Sequence, residues 1–219
     1  MSSVAVIDYG MGNLHSIAKA LQHAAPQVDV QIVSDPELIL KADRVVFPGV
    51  GAMRDCMQAL NETHLAEVIK EVAKSKPLLG ICLGMQALLT DSEENGSTQG
   101  LNILPGHVMR FSDSLVDAQG NNLKIPHMGW NRVAFREGRE DHPVFAGIPA
   151  EAEFYFVHSY YPAPADAAWA AGWTDYGIRF CSAVARGNLV AVQFHLEKSG
   201  RPGLTLLANF CRWGGNDAQ

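Results

Sequence analysis

The sequence predicts an α/β protein with a central, mostly parallel sheet, and three observations carry that prediction. In the first half of the chain, short apolar runs alternate with helical stretches, the pattern of βαβ units. The runs at 4–7 and 78–81 are continuously apolar rather than alternating, as strands buried on both faces are. At 219 residues, 47% of them hydrophobic and 18% charged, the chain can bury a substantial core, and its length fits one domain spanning 1–219.

Taken in order, residues 4–7 (Val-Ala-Val-Ile) read as a central strand. After the turn Gly10-Met11-Gly12, Asn13 is placed to cap a helix whose apolar positions Leu14, Ile17, Ala18 and Leu21 keep helical spacing to about Pro26. Residues 28–33 and 44–47 read as strands, followed by the Gly-rich loop 48–51, helical material to Lys74, and a strand at 78–81 that ends on Cys82. Beyond about Gly100 the strands shorten, as at 154–157 and 189–193, and turns and prolines multiply. This half is expected to extend the same sheet with an antiparallel portion. Gly187-Asn188 suits a tight turn between 183–185 and the last strand, and Leu204, Leu207 and Phe210 mark a closing helix from Ser199 onward.

Composition narrows the function classes. A formal charge of −6 without a long Lys/Arg cluster offers no grip on phosphate backbones, which argues against nucleic acid. The most apolar stretch, 78–89, is broken by glycine and falls short of the ~20 residues a spanning helix needs, so no membrane is expected. Met1-Ser2-Ser3 carries no cationic region and leads into a strand, so no signal peptide is expected and the cytoplasm is the expected compartment. Cys56, Cys82, Cys181 and Cys211 form no CxxC pair, which argues against disulfides and structural zinc. The eight histidines show no ligand spacing, so neither metal nor cofactor is expected.

Gly80-Ile81-Cys82-Leu83-Gly84 is a G-x-C-x-G sequence where an apolar strand gives way to a helix, the thiol counterpart of the nucleophile elbow. Such a turn forces an unusual backbone on its middle residue and brings neighbouring segments close, so glycines flank it. A helix N-terminus there favours an anion, the setting in which a thiol becomes a reactive thiolate. The alternative is that Cys82 is a small buried hydrophobe. A second motif bears on that choice. Residues 192–197 (Val-Gln-Phe-His-Leu-Glu) put His195 just past another apolar strand, with Glu197 two residues on to hold the imidazole. Sites on α/β sheets gather at the carboxyl ends of strands, where Cys82 and His195 would both emerge. Without Cys82, a surface loop pair would be the better reading. Donors for a developing oxyanion are available in the Leu83 amide and the loop Pro48-Gly49-Val50-Gly51, although that loop alone reads equally as a simple turn.

The segments at 80–86 (GICLGMQ), 48–51 (PGVG) and 193–199 (QFHLEKS) resemble the triad-type class I glutamine amidotransferases. Those at 8–13 (DYGMGN), 126–131 (PHMGWN), 156–160 (FVHSY) and Gly187-Asn188 look like the glutaminase subunits of imidazole glycerol phosphate synthases of histidine biosynthesis. The resemblance covers about Val4 to Phe210. It implies a three-layer, flavodoxin-like α/β fold and a thioester mechanism. Cys82 would attack the glutamine carboxamide, His195 would shuttle protons, and Glu197 would orient His195. Leu83, Val50 and Gly51 would form the oxyanion hole. Gln86 and Glu94 match positions that hold the amino-acid end of L-glutamine, with the backbone of Gly49, His158, Ser159 and Tyr160 completing the pocket. An acidic solvated loop is the alternative for Glu94.

The resemblance further implies a heterodimer with a (β/α)8 barrel cyclase, because the chain shows no acceptor machinery of its own. Asn13, Trp130 and Tyr155 match interface positions. Tryptophan suits interface hot spots, but it also suits cores. One departure stands out: Leu196 occupies the position of a usual proline between the catalytic His and Glu, which questions the rigidity of that loop. Glutaminase subunits of pyridoxal phosphate synthase, anthranilate synthase or sugar-amidating paralogues share the triad. A non-catalytic binding module on the same fold is the remaining alternative.

Overall fold

A computed structural model describes residues 2–135 and 142–215. β1 (Ser3–Ile7) leads into α1 (Leu14–Ala24), whose buried stripe is Ile17, Ala18 and Leu21. Asn13 holds the N-cap position but its side chain makes no capping bond, because its backbone (φ −88°, ψ 58°) leaves the extended region from which a cap oxygen is presented. β2 (Asp29–Val33) follows. Then α2 (Pro36–Lys41) adds a short helix that apolar spacing did not announce. Its signature was local: the Asp35 carboxylate accepts from the Glu37 amide at 2.8 Å, and Pro36 fills the first turn.

β3 (Arg44–Gly49) runs to the Gly-rich loop. The helical material beyond it is two helices, α3 (Met53–Glu62) and α4 (Leu65–Ser75), separated where His64 takes a left-handed backbone at φ 57°. β4 (Leu78–Cys82) passes directly into the short α5 (Leu83–Ala87). There follow β5 (Asp91–Ser92), β6 (Thr98–Gln99), β7 (Gly106–Arg110), β8 (His127–Arg132), β9 (Ala134–Phe135), β10 (Glu153–His158) and β11 (Tyr160–Pro164). β12 (Ala170–Tyr176), β13 (Ile178–Arg186), β14 (Leu189–Val192) and α6 (Gly200–Arg212) end the described chain.

The main sheet has the order β2-β1-β3-β4-β14-β13-β12-β9. Pairing is parallel from β2 through β14 and antiparallel from β14 outward to β9. Gly187-Asn188 forms the turn between β13 and β14, with Gly187 at φ 56°. The expected antiparallel extension is therefore present, but it accounts for only part of the second half. β10, containing the strand expected at 154–157, pairs with β8 apart from the main sheet, and β11-β7-β5-β6 form another small sheet. β10 buries alternate residues, the mark of a strand covered on one face.

Alternation along β1 and β3 sends side chains to two separate cores. Val4, Val6 and Val46 pack with Leu21 of α1 and Leu207 and Phe210 of α6. Ala5, Ile7, Val45 and Phe47 pack on the other face with Ile39, Leu60, Ile69 and Val72 from α2, α3 and α4. Helices on both faces of one sheet make the three layers. The β3-β4-β14 ladder then brings three carboxyl ends together: Gly49 is the register partner of Cys82, and Val192 of Ile81.

Candidate active site

Cys82 joins β4 to α5 with φ 54° and ψ −113°, a conformation that L-residues avoid and that surrounding packing must impose. The flanking glycines permit that packing. A Cβ on Gly84 would overlap the Phe47 carbonyl oxygen, and one on Gly80 would stand 2.9 Å from Leu88 Cδ1 and 3.0 Å from Ala191 Cβ. β3 and β14 therefore press against the elbow from either side.

His195 and Glu197 follow β14. The imidazole Nδ1 lies 3.1 Å from Glu197 Oε1, and both side chains are buried. The His195 amide donates to the Tyr155 carbonyl at 2.9 Å, and the Ser199 hydroxyl donates to the His195 carbonyl, which fixes the loop from both sides. Leu196 is 1% exposed and packs in the α1/α6 core, and a Cβ on Gly203 of α6 would overlap its carbonyl oxygen. Close packing here supplies the constraint that a proline ring would otherwise give.

His195 Nε2 is buried without a hydrogen-bond partner, while Cys82 lines the same cavity. Burial alone would disfavour an imidazolium, but the neighbouring Cys82 and Glu197 outweigh it and push the pKa up to about 10.

The cavity is about 350 Å³, and Val50, Gly51, Cys82, Leu83, Gln86, Glu94, His158, Ser159, Tyr160 and His195 all line it. Gly49 and Glu197 do not. They line a much smaller space of about 10 Å³, together with Asn13 and His195. Glu94 is not a freely solvated loop carboxylate: it is half-buried, and its Oε2 accepts from the Met53 amide at the start of α3 at 2.7 Å. The His158 ring serves structure rather than the cavity. Its Nδ1 donates to the Tyr160 carbonyl at 2.7 Å and its Nε2 accepts from His127 Nδ1 at 2.9 Å. Burial holds the His158 pKa down to about 3 and that of His127 to about 4.

Three participants went unnoticed in the sequence. Tyr9 donates to the Pro48 carbonyl at 3.0 Å, and a Cβ on Gly49 would approach its hydroxyl to 2.6 Å, so it braces the Gly-rich loop from below. Lys198 lines the cavity and stacks over the Tyr155 ring at 5.5 Å. Gln193, fully buried, donates to Cys82 Sγ at 3.6 Å. A polar residue inside an apolar strand end was the signal for Gln193; Tyr9 and Lys198 lay within the family-like segments 8–13 and 193–199, with nothing in the spacing to give either a role.

Cys56, Cys181 and Cys211 are buried free thiols, and burial pushes their pKa values up to about 12, about 12 and about 11. They are inert packing groups. Trp130 is 54% exposed rather than in the core, and Met128 two residues earlier on β8 is 61% exposed. Tyr155 is the cross-strand partner of Trp130, with ring centroids 6.0 Å apart, and Asn13 is exposed. Among the described residues no metal-binding group of His, Cys, Asp and Glu is gathered, and no helix is long and apolar enough to cross a membrane.

A cysteine elbow at the carboxyl edge of a three-layer sheet, with a buried imidazole–carboxylate pair just past the end of the neighbouring strand, defines an α/β protein of the thiol acyl-transfer class. Residues 5–213 match the model of the family Glutamine amidotransferase class-I, and the chain belongs to that family. Among curated relatives, the imidazole glycerol phosphate synthase subunit HisH of Methylococcus capsulatus is 64% identical over 213 residues, covering 97% of both chains. The protein of the same name from Aromatoleum aromaticum is 58% identical, covering 97% of this chain and 99% of its own. Solved structures agree on the fold. A glutamine amidotransferase superposes with a TM-score of 0.68 at 17% identity, covering 94% of this chain and 98% of that one. PurLQS from Thermotoga maritima gives 0.68 at 14% identity, covering 96% and 98%.

Proposed function

We propose that the protein is the glutaminase subunit of an imidazole glycerol phosphate synthase, hydrolysing L-glutamine and passing ammonia to a cyclase subunit in histidine biosynthesis. The observation that carries the chemistry is the meeting of Cys82, His195 and the Gly-rich loop around one cavity at the ends of three adjacent strands. The relatives' names supply the pathway.

In this mechanism the Cys82 sulfur attacks the carboxamide carbon, and the oxyanion is received by the Leu83 amide and an amide from Val50 or Gly51. His195, oriented by Glu197, gives a proton to the leaving nitrogen as the C–N bond breaks, leaving a glutamyl thioester. It then takes a proton from the water that cleaves the thioester, releasing glutamate and restoring the thiol. Gln86, Glu94 and the backbone at Gly49 and 158–160 hold the amino-acid end of glutamine, with the Glu94 carboxylate complementing the α-ammonium.

The partner is a (β/α)8 barrel cyclase, docked over the face that exposes Trp130 and Met128, with Tyr155 beside Trp130, and reaching the exposed Asn13. Ammonia handed across such an interface escapes protonation in water. The Gly-rich loop is aligned for catalysis only when cyclase and nucleotide are bound. Glutamate release measured with and without purified cyclase and its nucleotide ligand tests this: strong stimulation is expected, and full activity of the isolated chain would contradict partner control.

A further inference from the structure

The geometry points to Gln193 as a further member of the catalytic machinery, its side-chain N–H directed at the Cys82 sulfur by a chain of hydrogen bonds anchored on the Tyr160 carbonyl. The inference rests on Cys82 being the nucleophile. The polarity of the chain follows from one fact: a backbone carbonyl can only accept.

Tyr160 O lies 3.0 Å from one terminal atom of the Gln86 side chain, which must therefore be the amide nitrogen. That same nitrogen lies 2.8 Å from the Gln193 side chain. Having only hydrogens to offer, it requires Gln193 to present Oε1. Gln193 Nε2 then faces Cys82, and its N–H reaches the sulfur at 3.6 Å. Gln86 thereby spends both amide hydrogens within the protein, and its orientation in the cavity wall is fixed. On its other side, the Tyr160 carbonyl accepts from His158, which accepts from His127, which accepts from Asn131 Nδ2 at 3.2 Å, all without a charged group. One carbonyl therefore sets the direction of every bond from β8 to the nucleophile.

A buried N–H on sulfur favours the thiolate over the thiol, because it stabilises the charged form directly. Gln193 is 0% exposed, so water does not replace its N–H when the side chain is lost. Glu94, His158, Tyr160, His195 and Lys198 line the cavity with Cys82, and Tyr9 stands behind the sulfur from the end of β1; Gln193→Met adds or removes no charge among them.

The test is the pH dependence of Cys82 alkylation by iodoacetamide, read by peptide mass spectrometry in the wild type and in Gln193→Met, which keeps the volume and removes the donor. The midpoint should rise by about one pH unit. An unchanged midpoint in a variant that keeps its thermal unfolding transition would overturn the inference. Should Gln193→Met fail to fold, 15N spectra of the wild type decide: one glutamine side-chain amide should shift with the Cys82 titration and lose that response in Cys82→Ala. Amide resonances indifferent to the titration would overturn the inference equally. Failure of wild-type Cys82 to react with a glutamine-analogue electrophile would instead sink the proposed function, so the two failures are distinguishable.

Discussion

Glu197 is buried beside His195 and helps hold its pKa near 10, so the pair favours the protonated imidazole, the form that gives a proton to the leaving nitrogen. Its Oε1 accepts the Nδ1 proton, which leaves Nε2 as the atom turned to the cavity. Glu197→Gln removes a charge that favours imidazolium, so the His195 pKa should fall towards its ordinary value of 6.5. Glutamine hydrolysis by the complex should drop by about 10²- to 10⁴-fold, with the basic limb of the pH–rate profile displaced to lower pH. An unshifted limb would remove Glu197 from the mechanism. At this scale the sequence was most informative where a residue had to be one type, as with Cys82 between two glycines. It was least informative where a residue acts through the fold: Tyr9 lies far along the chain from the Pro48 carbonyl it braces, and no spacing could connect them.

Elements converge because close approach is built into their residues. α5 can begin immediately after β4 only because Gly84 leaves room for the Phe47 carbonyl. Gly84→Ala should therefore force α5 away from β3, costing about 3 kcal/mol or more in chemical denaturation, because the obstruction is backbone rather than a side chain that can swing aside. A cost under about 1 kcal/mol would show that the elbow tolerates separation. Parallel strands were legible as continuous apolar runs, and α1 and α6 as 3.6-residue spacing. β5 and β6, at two residues each, have no period to read. α3 and α4 merged in the sequence because their apolar spacing continues on either side of His64, whose left-handed backbone breaks the helix without Pro or Gly.

Across the whole molecule, buried histidines shape stability at both ends of the pH range. His127 and His158 have folded pKa values of about 4 and about 3, below the 6.5 of the exposed group. Their contribution is complete above about pH 6.5 and is lost as pH falls through the folded values, because the unfolded chain binds protons the native state refuses. Between about pH 6 and 4, each should cost about 1.4 kcal/mol of stability per pH unit. His195 has the opposite sign: raised to about 10, it contributes fully below about 6.5 and loses that contribution as pH rises through about 10. Urea denaturation of His127→Gln should show a shallower acid slope than wild type by about one proton. Parallel slopes would mean that His127 already titrates normally in the folded protein.

The central claim is that Cys82 is activated beside His195 to attack a glutamine carboxamide. Incubating the assembled complex with a diazo-ketone analogue of glutamine and mapping adducts by mass spectrometry tests it most directly. The account predicts one adduct, on Cys82, suppressed by excess glutamine, with Cys56, Cys181 and Cys211 untouched. No adduct, or an adduct on another residue while Cys82 stays free, would contradict it.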